Sequence, residues 1–289
     1  MKIKFIINPI SGKGKQKDIE NIIHENLDTK KHEYSIQLTE RKGHAKELCK
    51  QAITDGYEGV IAVGGDGTVN EIASECIGKD TVLGIIPAGS GNGFAYHLGM
   101  KKNMKESILQ LNNATIKIVD SCTANCMPFV NVSGIGFDAH IANLFQNLEK
   151  RGLWNYIKLI FKEINYKAEE YTINYNGKSR KIKAILLSFA NASQYGNNFL
   201  ISPRSELDDG LIDFVIIHDM PKRMIPQFLI KIANGKIEKS KFVEIIQAKE
   251  MKIFSSEKII HLDGESKKIN KSVLVKNNPK TLKILVPNE

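Results

Sequence analysis

The run Gly64-Gly65-Asp66-Gly67-Thr68-Val69-Asn70-Glu71 sets three glycines around a carboxylate, between an apolar stretch and a helix-forming one. Gly59-Val60-Ile61-Ala62-Val63 before it reads as a buried strand, and Ile72-Ala73-Ser74-Glu75 after it reads as helix. A strand, a glycine turn and a helix start present unpaired N–H groups and partial positive charge, which suits a phosphate. Glycine also lets the main chain approach a ligand closely. Asp66 exceeds what a phosphate cradle needs, so a metal, a ribose or a transferred proton is implicated as well. A tight turn capped by Asp66 is the plainer alternative. Glu71, one turn after Gly67, fits service to the helix start rather than to a ligand.

The elements that would position this run alternate over the first ~118 residues. Ile3–Ile7 reads as a strand leading into Asn8-Pro9-Ile10-Ser11-Gly12, and residues 17–27 read as a helix with Ile19, Ile22, Ile23 and Leu27 on one face. Tyr34–Leu38 is a strand ending at Thr39, and Gly43-His44 opens a helix striped by Ala45, Leu48, Cys49, Ala52 and Ile53. Val60–Val63 and Val82–Ile86 are further strands, the last running into Pro87-Ala88-Gly89-Ser90-Gly91-Asn92-Gly93. This rhythm predicts a parallel sheet with helices on both faces. The loops at Asn8, Thr39, Gly64–Thr68 and Gly89–Asn92 all follow strand C-termini, so one sheet edge gathers them where open α/β sheets bind ligands.

Beyond about Asp120 short strands dominate, divided by Asn176-Gly177, Asp209-Gly210 and Asp263-Gly264. Expected strands are Phe129–Val132, Tyr171–Tyr175, Ile182–Ala190, Leu211–Ile217, Ile245–Phe254, Lys258–Leu262, Ser272–Val275 and Thr281–Val286. Helices are expected at Leu153–Tyr166 and Arg223–Ala233. The division is therefore an α/β domain over 1–118 and a mostly antiparallel β domain, a sandwich or a flattened barrel, over 119–289, the last strand being free to return to the first domain.

Composition is that of a globular protein, 42% apolar and 25% charged over 289 residues. No apolar run approaches the ~20 residues that span a bilayer, and the N-terminus turns polar too soon for a signal peptide. Cys49, Cys76, Cys122 and Cys126 lack zinc-type pairing and read as buried free thiols, which points to the cytoplasm. The net charge of +9 could attract nucleic acid, anionic lipid or an anionic substrate, but no nucleic-acid module accompanies it. No His pair has metal spacing, and His44, His97 and His218 read as helix or strand-end residues. On the first of the two later helices, Leu153, Ile157, Ile160, Phe161 and Ile164 form a core stripe, with Trp154, Tyr156, Leu159 and Tyr166 beside Lys158 and Lys162 off it. Met224, Phe228 and Leu229 mix likewise with Lys222 and Lys231. Such helices suit either an anionic membrane surface or packing between domains.

Asn8-Pro9 with Ser11-Gly12, then Gly64–Glu71, Pro87–Asn92 and Leu262-Asp263-Gly264-Glu265, occur in the order seen in diacylglycerol kinase-like lipid kinases. The chain resembles the bacterial soluble members and their sphingosine and ceramide kinase relatives over essentially its whole length. That resemblance implies an N-terminal α/β ATP-binding domain with a parallel sheet, a C-terminal mostly antiparallel β-sandwich, and an active site between them. It implies an ATP-dependent lipid kinase that uses Mg²⁺ and moves the γ-phosphate to the hydroxyl of diacylglycerol or a related lipid such as sphingosine. Asn8, Pro9, Ile10, Ser11, Gly12, Thr39, Gly64, Gly65, Asp66, Gly67, Thr68, Val69, Asn70 and Ser90 fall where the family binds ATP. Asp263 and Glu265 fall on its catalytic Asp-Gly-Glu, with Asp66 as a third catalytic acid and a candidate Mg²⁺ ligand.

Leu207-Asp208-Asp209-Gly210 falls on a structural Mg²⁺ motif, implying the Asp209 side chain and main-chain oxygens of Glu206 and Leu211. Many bacterial members carry Asn-Asp where this chain has Asn92-Gly93, and Pro87–Asn92 is more similar to the sphingosine kinase version, which leaves the acceptor lipid open. Ser11-Gly12-Lys13-Gly14-Lys15 lacks P-loop spacing, although Lys13 or Lys15 could add charge beside a nucleotide. The expected partners are ATP, a lipid and, peripherally, an anionic membrane surface, with no nucleic acid and with a homodimer left open. A kinase for a soluble acceptor such as NAD, or a sensor without turnover, are the competing readings.

Overall fold

The computed structural model describes residues 1–12, 18–146 and 153–288. Lys13 and Lys15 lie outside the described residues, as do the side chains of Leu153, Trp154, Tyr156 and Ile157. The chain divides into two units, Met1–Val119 with Lys280–Glu289, and Asp120–Pro279.

In the first unit β1 (Lys2–Ile7), α1 (Ile19–Asn26), β2 (Glu33–Leu38), α2 (His44–Thr54), β3 (Gly59–Gly64), α3 (Asp66–Cys76), β4 (Val82–Pro87), α4 (Gly93–His97) and α5 (Met104–Leu111) follow in turn. The strands pair in parallel in the order β2-β1-β3-β4. Every residue of β3 and β4 is buried, as in central strands covered on both faces. The apolar stripes turn inward: Ile19 and Ile23 on α1, Ala45, Leu48, Cys49 and Ala52 on α2, and Val69, Ile72, Ala73 and Cys76 on α3. Ile284 pairs with Leu83 in parallel, so the returning C-terminus extends this sheet beside β4.

β5 (Thr115–Ala124) leads into the second unit, followed by β6 (Met127–Phe129), β7 (Val132–Gly136), α6 (Phe137–Gln146), α7 (Leu153–Lys162), β8 (Glu169–Tyr175), β9 (Lys178–Ala184), β10 (Leu186–Ala190) and β11 (Ile212–Ile217). Then come α8 (Ile225–Ala233), β12 (Val243–Ala248), β13 (Glu250–Ser255), β14 (Ile259–Leu262), β15 (Glu265–Lys268) and β16 (Ser272–Val286). One antiparallel sheet runs β12-β11-β10-β7-β14-β15, and the strands β16-β13-β8-β9 are antiparallel neighbours in another. Period-two alternation gives the six-stranded sheet two working faces. Leu187, Phe189, Phe214 and Ile216 meet Ile173, Met251, Ile253 and Val275 from the other sheet in a sandwich core. Leu186, Val215 and Ile217 face the opposite way and pack with Phe228 and Ile232 of α8.

Several expected elements are redrawn. Ile182–Ala190 is two strands broken at Ile185, and Ile245–Phe254 is two strands broken at Lys249; each half joins a different sheet. Chains that switch sheets at a sandwich corner keep their apolar alternation, so the break leaves no mark in composition. Conversely, Ser272–Val275 and Thr281–Val286 are parts of the single strand β16, and Phe129–Val132 covers only the end of β6 and the start of β7. α4, α5, β5, α6 and β15 are additions. Asn176-Gly177 and Asp263-Gly264 are two-residue hairpin turns with both residues at positive φ, whereas Asp209-Gly210 closes no hairpin. Phe161 is exposed rather than a core residue, and Cys126 is exposed while the other three thiols are buried. Among the described residues no helix is long and apolar enough to cross a membrane.

Phe189, fully buried, packs its ring 5.8 Å from that of Phe129 and 6.5 Å from that of Phe214. Phe189→Ala is expected to lower the unfolding free energy by ~3–5 kcal/mol in urea titration. An unchanged midpoint would show that this cluster is not the core of the sandwich.

Candidate active site

In the first unit the parallel register brings four loops to one edge. Ile7 pairs with Leu38 and with Val63, and Gly64 pairs with Pro87, so β1 to β4 end together. The pairing continues past the strands: Thr39 N donates to Ile7 O at 2.8 Å, Asn8 N to Val63 O at 2.9 Å, and Ala88 N to Gly64 O at 2.8 Å. Sheet order reverses between β1 and β3, the topological switch point at which such folds hold ligands. Asn8 bridges that point, its Nδ2 donating to Thr68 Oγ1 at 3.2 Å, while its Oδ1 accepts from Ile10 N. Ile10 itself is 86% exposed. Thr39, Gly64, Thr68 and Val69 are buried, Ser90 is exposed, and Gly65 to Gly67 with Asn70 are intermediate.

The glycines are dictated by contact. A Cβ on Gly89 would lie 2.3 Å from Gly65 Cα, so the loops after β3 and β4 pass backbone against backbone. Asp66 fastens them: Oδ2 accepts Asn92 N at 2.8 Å and Oδ1 accepts Gly93 N at 2.9 Å. Asn92, in the left-handed region at φ 58°, returns its own side chain to Gly89, accepting from Gly89 N and donating to Gly89 O, both at 2.9 Å. Asp66 is thus the first residue of α3 and also the acceptor for the start of α4. Glu71 does serve a helix start, but that of α2, accepting Gly43 N at 2.9 Å.

In the second unit the Asp263-Gly264 turn joins β14 to β15, with Leu262 opposite Glu265. Asp263 is buried, and its carboxylate accepts Val130 N at 3.0 Å and Asn131 N at 2.9 Å. Its main-chain N donates to Ser133 Oγ at 3.2 Å. Glu265 is half-buried and pairs with Lys267 Nζ at 3.1 Å.

Sequence reading missed the polar cluster beside this turn. Asp138, at the start of α6, and His261, on β14, approach at 3.1 Å with side chains only 3% exposed. Asp138 Oδ2 also accepts from Ser188 Oγ and Tyr195 Oη, each at 3.0 Å. The signal was present: Val132-Ser133-Gly134-Ile135-Gly136-Phe137-Asp138 repeats the opening pattern of apolar strand, glycines and an acid at a helix start. A Cβ on Gly134 would sit 2.2 Å from Asp138 Oδ2, so that glycine makes room for the carboxylate. Asp138 and Tyr195 also lie in the wall of an apolar cavity of about 110 Å³ that Ile160, Ile164, Phe228 and Leu229 help to line. Tyr166, in the same wall, donates to Glu257 Oε1, and burial together with that carboxylate raises its phenol well above the ordinary range.

The Asp209 loop is held by a different acid. Buried Asp120 accepts Gly210 N at 2.8 Å and Asn277 Nδ2 at 3.2 Å, and Asn277 Nδ2 also reaches Leu211 O at 3.1 Å. Asp209 accepts Leu211 N, and partial burial with neighbouring Asp213, Asp120 and Glu206 raises its carboxyl pKa. Asn277 Oδ1 is buried without a hydrogen-bond partner. Converging negative charge and an orphaned oxygen make a donor set that suits a hard cation. Among the described residues no three His, Cys, Asp or Glu side chains cluster as metal ligands, so such a site would rely on main-chain and amide oxygens.

Comparison with known proteins agrees across both units. Residues 2–124 match the diacylglycerol kinase catalytic domain, and residues 131–286 match the YegS C-terminal NAD kinase beta sandwich-like domain. The chain is 30% identical to a probable lipid kinase YegS-like protein of Chromohalobacter salexigens, over 81% of this chain and 78% of that one. It is 26% identical to a diacylglycerol kinase of Bacillus subtilis, over 91% and 89%. A solved diacylglycerol kinase structure from Bacillus anthracis superposes with a TM-score of 0.77 at 22% identity, covering 99% and 97%, and shares the fold.

Two outcomes follow from the loop geometry. Asp66→Asn loses one of two main-chain acceptors, so amide hydrogen exchange at Asn92 and Gly93 is expected to quicken, with ~1–3 kcal/mol less stability. Unchanged exchange there would remove the fastening role. At the far end of α4, burial and then Lys117 push the His97 imidazole down to about 4. The unfolded chain takes up that proton near 6.5, so the contribution of neutral His97 is complete above pH 6.5 and is lost as pH falls towards 4. Denaturation across that window is expected to show a shallower acid loss in His97→Gln; parallel curves would contradict it.

Proposed function

We propose, since this chain belongs to the diacylglycerol kinase-like lipid kinase family, that it transfers the γ-phosphate of ATP to the hydroxyl of a long-chain lipid. One observation carries the lipid part: the cavity of the second unit is walled mostly by Ile, Leu and Phe side chains, with Asp138, Glu163, Tyr166 and Tyr195 as polar groups. Each methylene that leaves water for such a wall contributes ~0.8 kcal/mol. A charged soluble acceptor such as NAD would forfeit that gain and its own hydration.

On the donor side the N–H groups at the start of α3 and the glycine loops beside them would hold the phosphates, with Asn8, Thr39 and Ser90 at the same edge. The hard, half-exposed Asp66 carboxylate suits Mg²⁺, which supplies charge neutralisation on the phosphates when bound. The Asp209 side chain with the main-chain oxygens of Glu206 and Leu211 would hold a second, structural Mg²⁺, and the orphaned Asn277 Oδ1 supports that reading.

On the acceptor side the roles of the motif acids separate. Asp263 is buried with both oxygens on main-chain N–H groups, which suits a residue that holds the turn. Glu265, half-buried beside Lys267, is the better group to take the acceptor proton. Phe161 and Ile230 are exposed among Lys158, Lys162, Lys222 and Arg223, a mixture that supports peripheral contact with an anionic membrane.

The test is transfer of label from γ-labelled ATP with Mg²⁺ into mixed micelles of diacylglycerol, monoacylglycerol, sphingosine or ceramide, beside a tube with NAD. Label is expected in a lipid and reduced ~10²–10⁴-fold in Glu265→Gln, with ATP affinity retained. Label in NAD alone, or in nothing, would overturn the reading.

A further inference from the structure

His261 makes a contact with each ring nitrogen. Nδ1 lies 3.3 Å from Gly264 N, the middle residue of Asp263-Gly264-Glu265, and Nε2 lies 3.1 Å from Asp138 Oδ2. A main-chain N–H can only donate, so Nδ1 must be the bare acceptor nitrogen. The proton of the neutral ring then sits on Nε2 and points at Asp138. Adding a proton to Nδ1 would cost the Gly264 bond, so the two contacts select one tautomer.

Asp138 is itself fixed from several sides. Oδ1 accepts Ala139 N at 2.8 Å, and Oδ2 collects Ser188 Oγ, Tyr195 Oη and His261 Nε2. Ser188 and Tyr195 also bond each other at 2.5 Å. The ring of Tyr195 lies 6.0 Å from that of His261. Asp138 and Tyr195 line the apolar cavity, so an unbroken series of hydrogen bonds runs from the cavity wall to the acidic turn. A buried carboxylate and imidazole are costly where apolar residues of similar volume would pack as well or better, so they need a reason beyond stability.

We propose that Asp138 and His261 are positioning residues for phosphoryl transfer: through the Gly264 N–H they set the turn that carries Glu265, and they tie that turn to the wall of the acceptor cavity. The inference rests on the lipid kinase reading above and adds the residues that aim its base. Neither side chain need touch the transferred group. The geometry also explains why the two nitrogens can be tested apart. An Asn side chain is long enough to stand in for Nδ1 and keep an acceptor for Gly264, whereas Gln stands in for Nε2 and keeps a donor for Asp138.

The experiment compares His261→Asn, His261→Gln and Asp138→Asn with the unsubstituted chain, reading kcat and KM for both substrates beside thermal midpoints. It adds nitrogen-15 spectra of the His261 ring. The ring is expected to show a protonated Nε2 and a bare Nδ1 in the unsubstituted chain. His261→Gln is expected to lose about a hundredfold in kcat with ATP KM unchanged, and His261→Asn to recover most of that loss. Equal kcat losses that follow the thermal midpoints in both His261 variants, or an Nδ1-protonated ring, would overturn the positioning role while leaving lipid phosphorylation intact. Absence of lipid phosphorylation by the unsubstituted chain would overturn both readings.

Discussion

A carboxylate drawn out of water must find donors within the protein, and five aspartates of this chain, four buried and Asp66 partly so, turn that requirement into fastening. Asp66 holds Asn92 and Gly93, Asp263 holds Val130 and Asn131, and Asp120 holds Gly210. Asp138 gathers Ser188, Tyr195 and His261, and Asp213 accepts from Ser202, Ser205 and Gln247. In three of these cases the donors are main-chain N–H groups of loops that have no ladder of their own. A strand can be specified by burial alone, but a loop needs a partner to hold one conformation. The acids supply it, and the loops they hold are the ones that carry the motifs.

The two faces of the six-stranded sheet do different work for a related reason. Alternate residues such as Phe214 and Val215 point to opposite sides, so one strand feeds both the sandwich core and the face covered by α8. The sandwich face is closed by a second sheet, which can pack as densely as an organic crystal. The other face is covered partly by helices, whose curved surfaces leave the apolar cavity between side chains of α7, α8 and β10. The dense core and the apolar cavity therefore lie on opposite faces of the same strands.

Much of this was legible in the residues. The βαβ rhythm and four polar strand ends specify a parallel sheet with its loops on one edge, because parallel pairing leaves no other arrangement. Asn176-Gly177 and Asp263-Gly264 read correctly as turns between strands, since few other dipeptides take two positive φ values in succession, whereas Asp209-Gly210 carries the same signal and closes no hairpin. The sheet switches at Ile185 and Lys249 were not legible, because an apolar alternation does not say which sheet it joins. Nor was the Asp138–His261 pair, which lies 123 positions apart and is joined only by the register of β14 against β7. Short-range patterns mark where a group sits on its element, but only topology shows what it meets.

That distinction bears on how acidic motifs are read. Within Asp-Gly-Glu the residue types invite the choice of Asp263 as base, because it follows a rigid apolar strand that can aim it. Yet the strand aims Asp263 inward, where Val130 and Asn131 take both of its oxygens. Since Leu262 and Glu265 are cross-strand partners, the glutamate stands where the hairpin re-enters its sheet, and it stays partly in solvent. The glycine between them donates to His261, so the three residues differ in setting: Asp263 is held by main-chain N–H groups, Gly264 meets the imidazole, and Glu265 is half-buried beside Lys267. In the first unit Gly65 and Gly89 permit the close approach and Asp66 locks it. Within Asp-Gly-Glu the more buried acid is a poor candidate for the reacting group, because the bonds that make its burial tolerable are the ones that occupy it.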